Sequence, residues 1–174
     1  MKLRGHRENL NNNPQYLTHD VFDNTDRVIK TFIPHLRNIG YRGVSPTKCK
    51  QLLHNIVLML FKTQDNCPMF HVEGTELPLC WNRPNDWNLD YIKYEWGHLR
   101  SFNQSEEAAH KVINLGLYSA RCNQHIQSSM DINELMIYGG ILAQRISNVL
   151  TKRRNLFLST EWQRAISELE TFKK

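Results

Sequence analysis

The sequence predicts an α+β, helix-rich domain, and three observations carry that prediction. Apolar residues recur at helical spacing at both ends of the chain, over 23–62 and 131–172. Between them, two runs rich in aromatic and β-branched residues, 89–96 and 111–118, flank a polar segment as two strands flank a loop. A hydrophobic fraction of 40% in 174 residues is enough for one sizeable core. The expected organisation is a mobile tail (1–13), a helical and irregular support region (14–88), a central unit (89–131) and C-terminal helices (132–174).

The tail, MKLRGHRENLNNN, is charged and then polar, with little apolar surface to bury. Residues 23–38 form the first amphipathic helix, with Val28, Ile29, Phe32, Ile33 and Leu36 on one side. Asp23 or Thr25 caps it and Gly40 ends it. Pro34 conflicts with that helix, because it lacks the N–H of the next turn, and predicts a stop or kink near Phe32. Ser45-Pro46 signals the start of a second helix running to about Lys62. Its apolar residues Leu52, Leu53, Ile56, Val57, Leu60 and Phe61 cover more than half its circumference, so burial is expected.

From 63 to 88, Pro68, Gly74, Pro78 and Pro84 break the pattern into short strands and turns. Cys67, His71 and Cys80, with Cys49 or His54 as a fourth group, form the one arrangement with zinc-ligand chemistry. The tight paired spacing of structural zinc is missing on one side, so buried thiols are the default and structural Zn2+ is not expected. The four cysteines lack a CxxC pair and fit a reducing compartment.

After Tyr118 the sequence SARCNQHIQSSM opens a helix, with Ser119 as its cap. Residues 131–150 form a strong helix whose buried side carries Ile132, Leu135, Met136, Ile141, Leu142, Ile146, Val149 and Leu150. Gly139-Gly140 inside it implies close packing or a break. The Lys152-Arg153-Arg154 cluster either complements the dipole at that helix's end or contacts phosphates. Ser159 or Thr160 then caps a last helix over 161–172.

A formal charge of +5 and a pI near 9.1 fit a polyanionic partner. The longest purely apolar run, 56–61, is far too short to span a bilayer. No apolar leader follows Met1. The expected setting is therefore intracellular, in the cytoplasm, with no membrane partner.

Hydrolysis of a phosphodiester needs a base to activate water and a cation to stabilise charge at phosphorus. Imidazole suits the first task, and a hard divalent ion held by oxygen ligands suits the second. Residues 91–131 carry such a set. Glu95-Trp96-Gly97-His98-Leu99 resembles the Asp-Arg-Gly-His motif of the DNA/RNA non-specific endonucleases, a branch of the ββα-metal (His-Me finger) nuclease superfamily. Asn114 and Asn123 stand nine apart, as that branch's two asparagines do, and Asn123-Gln124 matches its Asn-Gln pair. The HNH branch matches from the other side: Asn114-Leu115-Gly116-Leu117-Tyr118-Ser119-Ala120-Arg121-Cys122-Asn123 is similar to its Asn-Leu-x-x-Leu-Cys-x-x-Cys-His pattern. Ser119 replaces the first cysteine and Asn123 the last histidine.

The resemblance implies a hairpin-plus-helix centre and a metal-dependent endonuclease acting on DNA, with RNA as the alternative substrate and 5′-phosphate products. It implies His98 as general base and Asn123 as the one direct protein ligand to Mg2+ or Mn2+. Asn114 would orient the hairpin or the His98 ring. Asp131, eight beyond Asn123, and Glu95 would reach the metal through water. An asparagine ligand favours magnesium or manganese over zinc. The chain departs from the pattern at Glu95 (for aspartate), Trp96 (for a phosphate-binding arginine) and Gly97 (where HNH enzymes often carry a ligand). Arg100 or Arg121 would replace the arginine, and Lys111, Lys152, Arg153 and Arg154 are further phosphate candidates. By analogy, small basic nucleases of this kind include homing, restriction and phage-encoded enzymes, in the cytoplasm of a host or infected cell, and a homodimer is an option through the helical flanks. Two other readings stay open: a non-catalytic nucleic-acid-binding relative of the fold, and an all-helical interaction protein. The last predicts no hairpin before Asn123.

Overall fold

The computed structural model describes residues 25–65, 94–100, 111–119, 132–137 and 140–174. They form helices around a small two-stranded antiparallel sheet, an α+β arrangement. The 1–13 tail, the 66–93 segment with Cys67, His71 and Cys80, and the helix expected after Tyr118 lie outside the described residues.

Helix α1 spans Thr25–Asn38 and buries Ile29, Phe32, Ile33 and Leu36. Pro34 neither stops it nor limits it to Phe32. Pro34 and Lys30, whose carbonyl the missing N–H would have met, are both solvent-exposed, so water can replace the lost bond. Gly40 closes the helix at φ 106°. The Tyr41 N–H reaches back to Leu36 O at 3.0 Å and the Gly40 N–H to Arg37 O at 3.2 Å, a Schellman stop. The chain then turns, and Gly43 N–H bonds Phe172 O at 2.9 Å, fastening this turn to the C-terminus.

Helix α2 is Lys50–Lys62, shorter than expected at its start. Ser45-Pro46 caps a separate turn: Ser45 Oγ accepts from the Lys48 N–H at 3.2 Å, and Cys49 stands at the helix cap with its thiol donating to Ser45 O at 3.0 Å. Leu52, Leu53, Ile56, Val57, Leu60 and Phe61 are buried, as their spacing predicts.

Strand β1, Tyr94–His98, pairs with β2, Leu115–Ser119, placing Trp96 opposite Leu117 and His98 opposite Leu115. Strand β2 begins later than the sequence suggested. Residues 112–114 wind into a 3-10 turn first, so Asn114 precedes the strand, and β1 extends to include His98.

A two-stranded ribbon is marginal alone and needs its faces covered. Here both are. Trp96, Leu115 and Leu117 join the main core with α1 and α2, and the Trp96 ring lies 4.5 Å from that of Phe32. Tyr118 and Leu99, on the opposite pleat, pack with Ile132, Leu135, Ile146 and Val149. Gly116 makes room for this second layer, since a Cβ there would stand 3.2 Å from the Tyr118 ring.

The C-terminal helix expected over 131–150 is broken. Helix α3 is Ile132–Ile137 and α4 is Gly140–Leu158, with Gly140 at φ 63°. Among the described residues nothing would crowd a side chain at Gly140, and its positive φ points to a backbone break. Helix α4 continues past Lys152-Arg153-Arg154, so that cluster is mid-helix and does not cap an end. Ser159 caps α5, Thr160–Glu170, accepting from the Trp162 N–H at 3.2 Å. Among the described residues no helix is long and apolar enough to cross a membrane.

Candidate functional site

His98 ends β1. Pleat alternation turns it to the same side as Trp96, toward α1, where its ring meets His35 edge-on at 6.5 Å between centroids. The residue is half-buried and its Nε2 is shielded from solvent. Its carbonyl accepts from the Tyr118 hydroxyl at 3.4 Å.

Asn114 faces this end of β1 from the other strand and is 7% exposed. Its carbonyl oxygen accepts from the Arg100 N–H at 3.0 Å and its amide donates to Arg100 O at 3.1 Å, while Asn114 O accepts from the Leu99 N–H at 2.7 Å. The side chain thus braces the segment that leaves His98. Of the two orientations sequence allowed, hairpin or ring, these bonds serve the hairpin. Its amide oxygen and amide nitrogen are thus both engaged by the backbone of Arg100.

Asn123, Asp131 and Arg121 lie outside the described residues. Glu95 pairs with Tyr118 in the register of the hairpin. Among the described residues no three His, Cys, Asp or Glu converge on a metal position. An ion held by one amide and water would not create such a convergence.

The basic cluster of α4 divides three ways. Arg153 is 4% exposed and corrects the expectation of a phosphate contact there. Its Nε donates to Thr63 Oγ1 at 2.5 Å and its Nη1 to Ile113 O and Leu115 O at 2.6 Å each. Its Nη2 reaches Leu60 O at 3.4 Å and Gln64 Oε1 at 3.3 Å. All five donors of the guanidinium are therefore occupied inside the protein. Burial pulls its pKa down to about 9, and it remains charged at neutral pH. Lys152 pairs with Asp65, which Arg145 also holds at 2.5 Å. Arg154 is exposed.

Arg153 and Gln64 together finish the outer edge of β2. The Gln64 amide donates to Leu117 O at 2.9 Å and accepts from the Leu117 N–H at 3.0 Å, and Arg153 takes the carbonyls on either side of Asn114. Side chains thus replace a third strand.

Immediately beyond His98 lies an open groove of about 240 Å³. Leu99, Ile113 and Leu150 contribute apolar lining, and Phe157, 46% exposed, contributes an aromatic ring. Arg100, Lys111, Arg153 and Arg154 supply its charge, and among the described residues its lining contains no carboxylate. Three of the expected phosphate contacts, Arg100, Lys111 and Arg154, are thereby brought together.

Sequence reading missed His35, Gln64 and Phe157. Gln64 follows a helix end and carries no motif. Phe157 carried a weak signal, an aromatic residue three positions after a basic cluster and therefore on the same helix side as Arg154.

Comparisons with protein-family models, with curated proteins and with solved structures return no match for this chain.

Proposed function

We propose that the chain is a metal-dependent endonuclease of the ββα-metal kind, hydrolysing phosphodiester bonds in DNA. The observation that carries this reading is the antiparallel hairpin itself: His98 closes its first strand, and Asn114 braces the backbone just after it from the foot of the second. The resemblance requires this pairing, and an all-helical protein would lack it. The all-helical reading is therefore set aside.

In this proposal His98 takes the proton of the attacking water, and Asn114 holds the strand end that carries it. Asn123 would hold Mg2+ or Mn2+, with Asp131 and Glu95 acting through water. The ion, when bound, supplies charge stabilisation at phosphorus and the leaving 3′ oxygen. Arg100, Lys111 and Arg154 line the adjacent groove, where they can meet phosphates, and Arg121 is a further candidate.

One observation favours a second reading, a non-catalytic nucleic-acid-binding protein. The Nε2 of His98 is shielded from solvent, whereas a general base must reach its water. Asn123→Ala separates the two. On the catalytic reading it abolishes cleavage in magnesium and leaves DNA binding in EDTA unchanged. Cleavage that persists at the wild-type rate would remove Asn123 from the mechanism.

A further inference from the structure

We infer that the groove between the foot of the hairpin and α4 seats one unstacked nucleotide of a single-stranded nucleic acid. This deepens the proposed nucleic-acid reading by naming the form of substrate the site takes. Three features lead to it.

The first is the charge. Arg100 and Arg154 are exposed at the groove, and no ion pair among the described residues engages either one. Beneath them the buried Arg153 is hydrogen-bonded, among the described residues, to carbonyl, hydroxyl and amide oxygens. Those groups satisfy its donors but leave its positive charge uncancelled in a low-dielectric setting, so its field reaches the groove above.

The second is the apolar lining. Ile113 and Leu150, which are only partly buried, would be an unsuitable surface for phosphates alone, whereas a base face can lie on them with Phe157 as a stacking partner. Duplex DNA keeps its base faces inside the stack and would offer this surface only its backbone. An unpaired base can use both parts of the groove at once.

The third is size. About 240 Å³ falls below the roughly 300–1,000 Å³ of pockets that enclose a free small molecule. A single residue of a polymer running past the opening matches it better.

The test is fluorescence anisotropy of the full chain in EDTA, without catalysis, using labelled oligo(dT), oligo(rU) and the corresponding duplexes. The expected result is tighter binding of at least one single strand than of its duplex. Phe157→Ala should weaken single-strand binding by roughly tenfold and leave duplex binding unchanged, with Phe157→Trp restoring it. Arg154→Gln should reduce the slope of log K against log salt by about 0.7. Equal or tighter binding of both duplexes, or no effect of Phe157→Ala, would overturn the inference. The oligo(dT) and oligo(rU) arms distinguish DNA from RNA as the source of the strand. If wild type cleaves nothing in magnesium but this binding pattern holds, the catalytic reading falls and the groove stands. If His98-dependent cleavage occurs but Phe157→Ala is silent, the groove falls and the catalytic reading stands.

Discussion

The amide of Asn114 closes both of its hydrogen bonds on one residue, Arg100, whose N–H it accepts at 3.0 Å and whose carbonyl it bonds at 3.1 Å. It offers the groups a backbone would offer, and so adds one rung to the ladder beyond the end of β1 and before the start of β2. Removing the side chain orphans a donor and an acceptor in a part-buried place. Asn114→Ala should therefore destabilise the fold by about 1–3 kcal/mol, read by urea denaturation. Asn114→Asp should not rescue it, because a carboxylate would face the Arg100 carbonyl. Wild-type stability in both variants would mean that the brace contributes nothing.

Arg153 has a larger structural role. Arg153→Met leaves the carbonyls of Ile113 and Leu115 without their shared donor at the sheet edge. A loss of about 3 kcal/mol or more is expected, with some relief from removing a buried charge. Arg153→Lys should recover little, since an ammonium has three donors on one point and cannot span five acceptors. Thermal unfolding of the two variants reads both expectations.

Pro34 predicts the opposite direction. Its ring lies inside α1 on an exposed face, and alanine would restore a helical hydrogen bond to Lys30 O. Pro34→Ala should stabilise the protein by roughly 1–3 kcal/mol. A loss of stability would show that the helix is bent to fit proline.

Acid sensitivity follows from two carboxylates. For Asp65, burial raises the pKa, but the hydrogen bond from Lys152 and the charges of Arg145 and Lys152 outweigh it, so the net shift is below 3.8. For Glu170, the hydrogen bond from Tyr41 at 2.6 Å leads, opposed by burial and helped by Lys173, and the net shift is below 4.5. A depressed folded pKa contributes stability that is complete above the unfolded value and is lost as pH falls through the folded one. The loss should thus begin below about pH 4.5 for Glu170 and below about 3.8 for Asp65. Both groups are well exposed, so each effect should be small. Asp65→Asn with Glu170→Gln should flatten the unfolding curve below pH 4.5, and an unchanged acid slope would remove both from the explanation.

Much of the frame was legible in the sequence because it rests on local signals. The periodicity of Leu52, Leu53, Ile56, Val57, Leu60 and Phe61 and the cap at Ser159 depend on near neighbours, and both stand in the structure. The hairpin was legible through its β-branched and aromatic runs, but its limits were not. Asn114 resembles a strand residue in sequence but closes a 3-10 turn, its N–H bonding Lys111 O at 2.9 Å, while its side chain bonds the distant Arg100. Arg153 was misread for a related reason. Nothing in Lys-Arg-Arg distinguishes the solvated arginine from the buried one. That choice is made by Thr63, Ile113 and Leu115, far away in the chain. Pro34 does not stop α1, and only the folded helix shows that its face is wet.

The most direct measurement is plasmid cleavage by wild type and by His98→Ala, each with magnesium, manganese or EDTA. The proposal predicts metal-dependent nicking by wild type that disappears in EDTA and falls by two or more orders of magnitude, roughly the share of a general base, in His98→Ala. Cleavage that survives the loss of His98, or a wild type inert with either metal on DNA and RNA, would contradict it.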